Sequence, residues 1–188
     1  MSEISLCASD RRYEKINGKI FMMATPTMNH QEISSNIFRI FSSYLKGKTC
    51  RVYDGASVFL DSENTFIPDV LILCDRSKRK ADGIHGAPDL VVEILSPSTA
   101  KRDMDEKKTA YEKYGVKEFW LIDPDAKSIT IHHLRDGSFT VDNVYYHRAG
   151  TELEYMPEDD LKALVPDFTT GIFTDLTISL DEVFEYVE

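Results

Sequence analysis

The chain has 188 residues, 42% hydrophobic and 29% charged, which fits one globular domain with its own core and excludes a disordered or fibrous protein. It contains no apolar run near the roughly 20 residues that span a bilayer, and its opening, "MSEISLCASDRRYEK", lacks the apolar stretch of a signal peptide. The net charge of −10 argues against a generally basic nucleic-acid binder, but 11 acidic residues and one basic residue, Lys162, fall in 151–188, so residues 1–150 are formally neutral.

In chain order, "YEKINGKIFMM" places Asn17-Gly18 between two extended segments, the pairing of a type I′ β-hairpin. From about His30 to Leu45, Ile33, Ile37, Ile40, Phe41 and Tyr44 recur at helical spacing and predict one amphipathic helix. "CRVYDGASVFLD" reads as a strand or strand pair interrupted at Gly55. "PDVLILCD" is a short strand with Pro68 at its start, where a missing N–H does least harm. The polar loop "RSKRKADGIHGAP" leads to "DLVVEILSPST", a near-continuous apolar strand holding Glu93. "SPSTAKRD" opens a helix that runs to about Tyr114 and stops at Gly115. "KEFWLID" is the next strand, so residues 89–123 predict a βαβ unit with parallel strands. "SITIHHL" and "FTVDNVYYH" form a hairpin around Asp136-Gly137, and "DLTISLDEVFEYVE" a short strand leading into a helix capped by Ser179 or Asp181. The three cysteines, Cys7, Cys50 and Cys74, are odd in number and widely spaced, so neither a disulfide framework nor a zinc site is expected, and a reducing cytoplasm is.

Three polar residues stand where the pattern calls for apolar ones. A carboxylate in a buried strand costs several kcal/mol, about 2–7 for an unpaired polar group and more for a charge, unless it is paired or bound to a metal, and Glu93 sits in such a strand. Asp69 heads the apolar strand Val70–Leu73. Lys107 lies between Met104, Tyr111 and Tyr114 on one helix face, with Lys108 so close to that face that periodicity does not choose between them. Two carboxylates on neighbouring strands suit Mg²⁺, which leaves much of its octahedron to water and phosphate oxygens. An ammonium and a helix N-terminus nearby favour an anionic phosphodiester as substrate. The competing reading of the same residues is a buried structural pair, Glu93 with Lys107, Arg102 or a tyrosine.

These residues resemble the PD-(D/E)XK nuclease superfamily, with 23 residues between Asp69 and Glu93, and more closely the Uma-type family of small bacterial proteins described as restriction endonucleases. "YEKINGKIFMMATPTMNHQ", "IPDVLILCD", "GAPDLVVEILSPSTAKRDMDEKKTAYEKYGVKEFWLIDP" and "LTISLDEVF" carry the likeness, over residues 13 to 185. It implies a restriction-endonuclease-like α/β fold, a mixed central sheet flanked by helices with additional hairpins. It implies Asp69 and Glu93 as metal ligands for Mg²⁺ or Mn²⁺. The superfamily lysine two residues after the Glu is replaced by Leu95, and the Uma-type pattern supplies instead a helix lysine four residues before a tyrosine, which selects Lys107 with Tyr111. His30, Glu32 and Asp103 are accessory candidates. Against each stands a plain reading: a core or capping His, a surface charge, and a first-turn acid complementing the helix dipole. Asp89 reads as a strand-start residue, and His132-His133 point to opposite faces of a strand, a poor metal pair.

The expected function is metal-dependent hydrolysis of DNA by a cytoplasmic homodimer with no membrane association. Arg76, Lys78, Arg79, Lys80, Lys101 and Arg102 would contact the nucleic-acid backbone. The alternative is a nuclease-fold module that binds nucleic acid or regulates without cutting, favoured by Leu95 and the acidic C-terminal segment. A plain interaction domain built on a buried Glu93–Lys107 pair is the third reading.

Overall fold

A computed structural model describes residues 12–96 and 103–188. The Asn17-Gly18 turn has φ of 48° and 78°, the two left-handed positions that a type I′ turn requires, and it joins β1 (Tyr13–Ile16) to β2 (Lys19–Met22). Helix α1 (Met28–Tyr44) starts two residues earlier than the apolar spacing predicts, because the Thr27 side chain accepts a hydrogen bond from the His30 amide and caps it there. There follow β3 (Arg51–Asp54), β4 (Val58–Phe59), β5 (Thr65–Phe66), β6 (Val70–Leu73), β7 (Ile84–His85) and β8 (Leu90–Ile94). A π-helical turn, Asp103–Lys107, runs into α2 (Lys108–Tyr114), which ends at Gly115 with φ 84°. Then come β9 (Glu118–Asp123), β10 (Ser128–Arg135), β11 (Ser138–Tyr146), α3 (Thr151–Glu154), α4 (Glu158–Ala163), β12 (Asp167–Thr169), β13 (Thr177–Ser179) and the single turn α5 (Leu180–Val183).

The main sheet has the order β11-β10-β9-β8-β6-β3. β8 and β9 are parallel, as the βαβ pattern predicts, and the other pairings are antiparallel, so the sheet is mixed. Alternation along the strands divides the interior in two. Val70, Ile72, Leu90, Val92, Ile94, Trp120 and Ile122 pack with Ile33, Ile37 and Phe41 of α1 and with Phe168, Leu180 and Val183. Leu71, Leu73, Val91 and Phe119 face the other way, toward Ala110 and Tyr111 of α2 and a smaller sheet of order β2-β1-β5-β4-β7. The mixed α/β architecture and the hairpins agree with the sequence reading.

Three details differ from it. Met104 is half exposed while Lys107 and Tyr111 are buried, because the wide π-helical turn shifts the phase of the helix and takes Met104 off the inward face. The C-terminal helix is one turn, and Ser179 stands at its N-cap without a side-chain cap bond. Cys50 and Cys74 form a disulfide. Sequence spacing missed this because the pairing is a cross-strand one: Arg51 lies opposite Leu73, and one further step of that antiparallel register brings Cys50 to Cys74. Cys7 and the expected helix start at Ser98 lie outside the described residues. Among the described residues no helix is long and apolar enough to cross a membrane.

Candidate active site

β6 and β8 bring the two predicted carboxylates together. Their register sets Val70 opposite Val92 and Leu71 opposite Val91, so one further step sets Asp69 beside Glu93. The Asp69 side chain is tied to the end of β8 by the Ile94 amide, which donates to its Oδ2 at 2.7 Å. Glu93 is at the C-terminal end of the parallel pair β8–β9, the end at which ligands bind in open α/β sheets.

Glu93 is 2% exposed and fully engaged by α2 and the turn before it. The Tyr111 hydroxyl donates to its Oε1 at 2.7 Å, and the Lys107 ammonium donates to its Oε2 at 3.1 Å. Lys107 and Tyr111 are four residues apart and so project from one helix face. Lys107 is therefore the lysine that meets the carboxylate, whereas Lys108 is half-buried and points elsewhere; its charge lowers the pKa of His132, after burial, the larger cause. A residue that the sequence reading passed over completes the cluster. Glu14 of β1 is 2% exposed, and its Oε1 lies 2.9 Å from the Lys107 ammonium. Its signal was present in "YEKI", where strand alternation puts Glu14 on the same inward face as Ile16, a carboxylate at an apolar position like Glu93.

Asp69 is less enclosed. Its Oδ1 meets His30 Nε2 at 2.9 Å, and its side chain keeps 17% of its surface accessible. It lines, with His30, a polar pocket of about 240 Å³ whose walls include Arg12, Gln31, Ser34 and Asp54. The Thr27 cap sets the first turn of α1 and so the position of His30, which makes His30 a direct partner of the carboxylate.

The other predicted residues fall outside this cluster. Glu32 is half-buried on α1 and makes no described hydrogen bond to Asp69 or Glu93. Arg76, Lys78, Arg79 and Lys80 follow the C-terminal end of β6, the far end of that strand from Asp69, and Lys78 donates to Ala87 O at 2.8 Å. Lys101, Arg102 and the side chain of Asp103 lie outside the described residues. Asp89, a strand-start residue as expected, accepts from the Cys74 amide and from Lys117.

Among the described residues no group of three or more His, Cys, Asp or Glu side chains is placed to hold a metal as a protein cage. The donor set suits a different site. A carboxylate has about four lone-pair directions, and the His30 and Ile94 bonds to Asp69 use one on each of its oxygens. Asp69 lines the open polar pocket and Glu93 lies buried next to it in the strand register, a set that fits a cation such as Mg²⁺, which takes one or two carboxylates and fills its shell with water and phosphate.

Comparison with known proteins gives a consistent picture. Residues 4–163 match the family model Uma2, described as "Putative restriction endonuclease". The chain is 30% identical over 128 residues to "Uncharacterized protein slr1290" of Synechocystis sp., covering 66% of this chain and 67% of that one. Its fold is similar to a crystal structure from Anabaena variabilis described as a "putative nuclease belonging to DUF820", with TM-score 0.70, 22% identity, and coverage of 94% and 91% of the two chains.

Proposed function

This chain belongs to the Uma2 family, and from that membership and the geometry of its site we propose that it is a Mg²⁺- or Mn²⁺-dependent DNA endonuclease. The observation that carries the reading is the pairing of Asp69 with Glu93 across β6 and β8, with Lys107 on Glu93 and a pocket open at Asp69. Asp69 and Glu93 would hold the cation, which on binding supplies charge neutralisation at the phosphate and a more acidic attacking water.

The protein's own residues organise the rest. His30 and the Ile94 amide fix the two oxygens of Asp69, so that this carboxylate meets its ligand without rotating. Tyr111 and Lys107 do the same for Glu93. Lys107 also sets a positive charge beside the reacting phosphate, where it offsets the charge that develops during hydrolysis. Exposed Arg76, Arg79 and Lys80, with Lys101 and Arg102, would contact more distant phosphates along the duplex. Cutting both strands needs two sites, which a two-fold homodimer provides. The expectation of a reducing cytoplasm rests on the absence of disulfides, and the Cys50–Cys74 bond removes that ground.

One observation favours the second reading, a nuclease-fold module that binds without cutting. Lys107 is only 3% exposed and is held by two carboxylates, an arrangement that a structural ion cluster also has. Incubation of plasmid DNA with Mg²⁺ or Mn²⁺ separates the two. The endonuclease reading requires cleavage by the wild type and its loss in Asp69→Asn, Glu93→Gln and Lys107→Ala. Retention of DNA in a gel shift with no cleavage by any form establishes the binding module instead, and neither binding nor cleavage leaves the interaction domain.

A further inference from the structure

Glu14 does more than neutralise Lys107. Its Oε1 takes the Lys107 ammonium at 2.9 Å, and the same oxygen accepts the backbone amide of Ile67 at 3.0 Å. Ile67 is two residues before Asp69 and is joined to it through Pro68. Asp69 in turn is bonded to the Ile94 amide, next to Glu93, and Glu93 is bonded to Lys107. These links form a closed ring: Glu14, the Ile67–Asp69 segment, the Glu93–Ile94 segment, Lys107, and back to Glu14. The ring joins three parts of the chain that are far apart in sequence: the first hairpin, the paired strands β6 and β8, and the turn before α2.

We propose that Glu14 is a positioning residue that locks the Lys107 ammonium to the Asp69 segment and keeps it in place when Glu93 engages a cation. The proposal deepens the endonuclease reading and rests on it for its catalytic consequence. The physical argument begins with cost. Burying an ion pair is a poor route to stability, and apolar replacements of such groups are often neutral or better. Position 14 shares its inward face with Ile16 and would accept an apolar side chain, yet it holds a carboxylate that is 2% exposed. A positional role accounts for that choice. When a divalent cation draws on Glu93, it also repels the ammonium 3.1 Å away. A second carboxylate on the far side of the ammonium, anchored to the backbone of the Asp69 segment, holds Lys107 against that repulsion. Without it the ammonium would be displaced whenever the site is loaded.

The test uses the full-length protein and Glu14→Gln, whose amide oxygen still accepts from Ile67 but carries no charge. Lys107 is followed by its rate of modification with trinitrobenzenesulfonate, read by peptide mass spectrometry, and Ile67 by amide hydrogen exchange. The proposal expects Lys107 to be modified about fivefold faster or more in Glu14→Gln, with exchange in the segment around Ile67 retained. It also expects kcat for DNA cleavage to fall about 10- to 100-fold, the usual effect of removing an outer partner of a metal site, with KM for DNA changed less than about twofold. Glu14→Asp keeps the charge but shortens its reach; it should move both readouts the same way by a smaller factor, and it decides the question if Glu14→Gln does not fold. Unchanged Lys107 labelling in a folded variant overturns the proposal, as does a kcat equal to wild type. If the wild type cleaves no DNA, the endonuclease reading fails, while the labelling and exchange experiments still decide whether Glu14 locks Lys107.

Discussion

Two buried carboxylates stand on adjacent parallel strands of the same sheet, and their surroundings differ. Glu118 opens β9 and is 0% exposed. It is satisfied mainly by neutral donors, Trp120 Nε1 at 2.7 Å and the Ile172 amide at 3.1 Å, with His133 at 3.8 Å. Burial is the largest influence on it and raises its pKa. Glu93 is the last residue but one of β8, toward the other end of the pair, and faces the opposite side of the sheet. Its partners are an ammonium and a phenol, and a second carboxylate lies beside it at the mouth of a pocket. A buried acid is therefore not a site by itself. Glu118 ties a core tryptophan to the Ile172 loop, while Glu93 has a cationic partner and stands beside an acid, Asp69, that lines an open polar pocket.

The widest separation between the two should appear in catalysis. Asp69→Asn and Glu93→Gln should each lower kcat by about 10²–10³-fold, the scale on which a group that stabilises transition-state charge acts. Glu118→Gln should leave kcat for the folded enzyme within about threefold. Steady-state cleavage rates, corrected for the folded fraction, check this, and equal losses at both positions would remove the distinction.

Stability gives the next contrast. The Cys50–Cys74 disulfide sits at the end of β6 remote from Asp69 and closes a sequence separation of 24. Replacing both cysteines by Ser should cost about 3.5 kcal/mol in the chain-entropy model and leave kcat unchanged. Urea melts and cleavage assays measure the two effects, and thiol titration of the non-reduced wild type should find Cys7 alone.

The smallest effects concern pH. Because the pKa of Glu118 is raised above its ordinary 4.5, the native state binds more protons there than the unfolded chain. Its contribution is complete below about 4.5 and is lost as pH rises through the folded value. Glu118→Gln should flatten that loss. His132 is the opposite case: burial among Phe119 and Phe139 lowers its pKa below 6.5, so the stability it gives is present above 6.5 and lost as pH falls through the folded value. His132→Phe should flatten the acid side. Melting temperature against pH reads both.

The sequence reading recovered what local pattern encodes. Asn17-Gly18, the α1 stripe, the parallel β8–β9 pair and the Gly115 stop all follow from turn chemistry and periodicity. Asp69 and Glu93 stood out as acids in apolar strands, whereas periodicity left Lys107 and Lys108 undecided and the family resemblance made the choice. Other features depended on non-local geometry. Met104 left the inward face because a π-helical turn is invisible to a 3.6-residue count. Cys50 met Cys74 through a strand register that spacing does not display. Glu14 was missed because a four-residue strand gives little alternation to read, and its partner Lys107 is 93 positions away. Glu118, at the head of β9, was passed over in the sequence although it is as buried as Glu93, and their partners in space tell the two apart.

A crystal of the protein soaked in Mn²⁺ and measured at the manganese edge tests the central claim most directly. The account predicts an anomalous peak bound by the Asp69 and Glu93 carboxylates at the mouth of the His30 pocket. Density only elsewhere, or none at millimolar Mn²⁺ with Glu93 still closed by Lys107 and Tyr111, would contradict it.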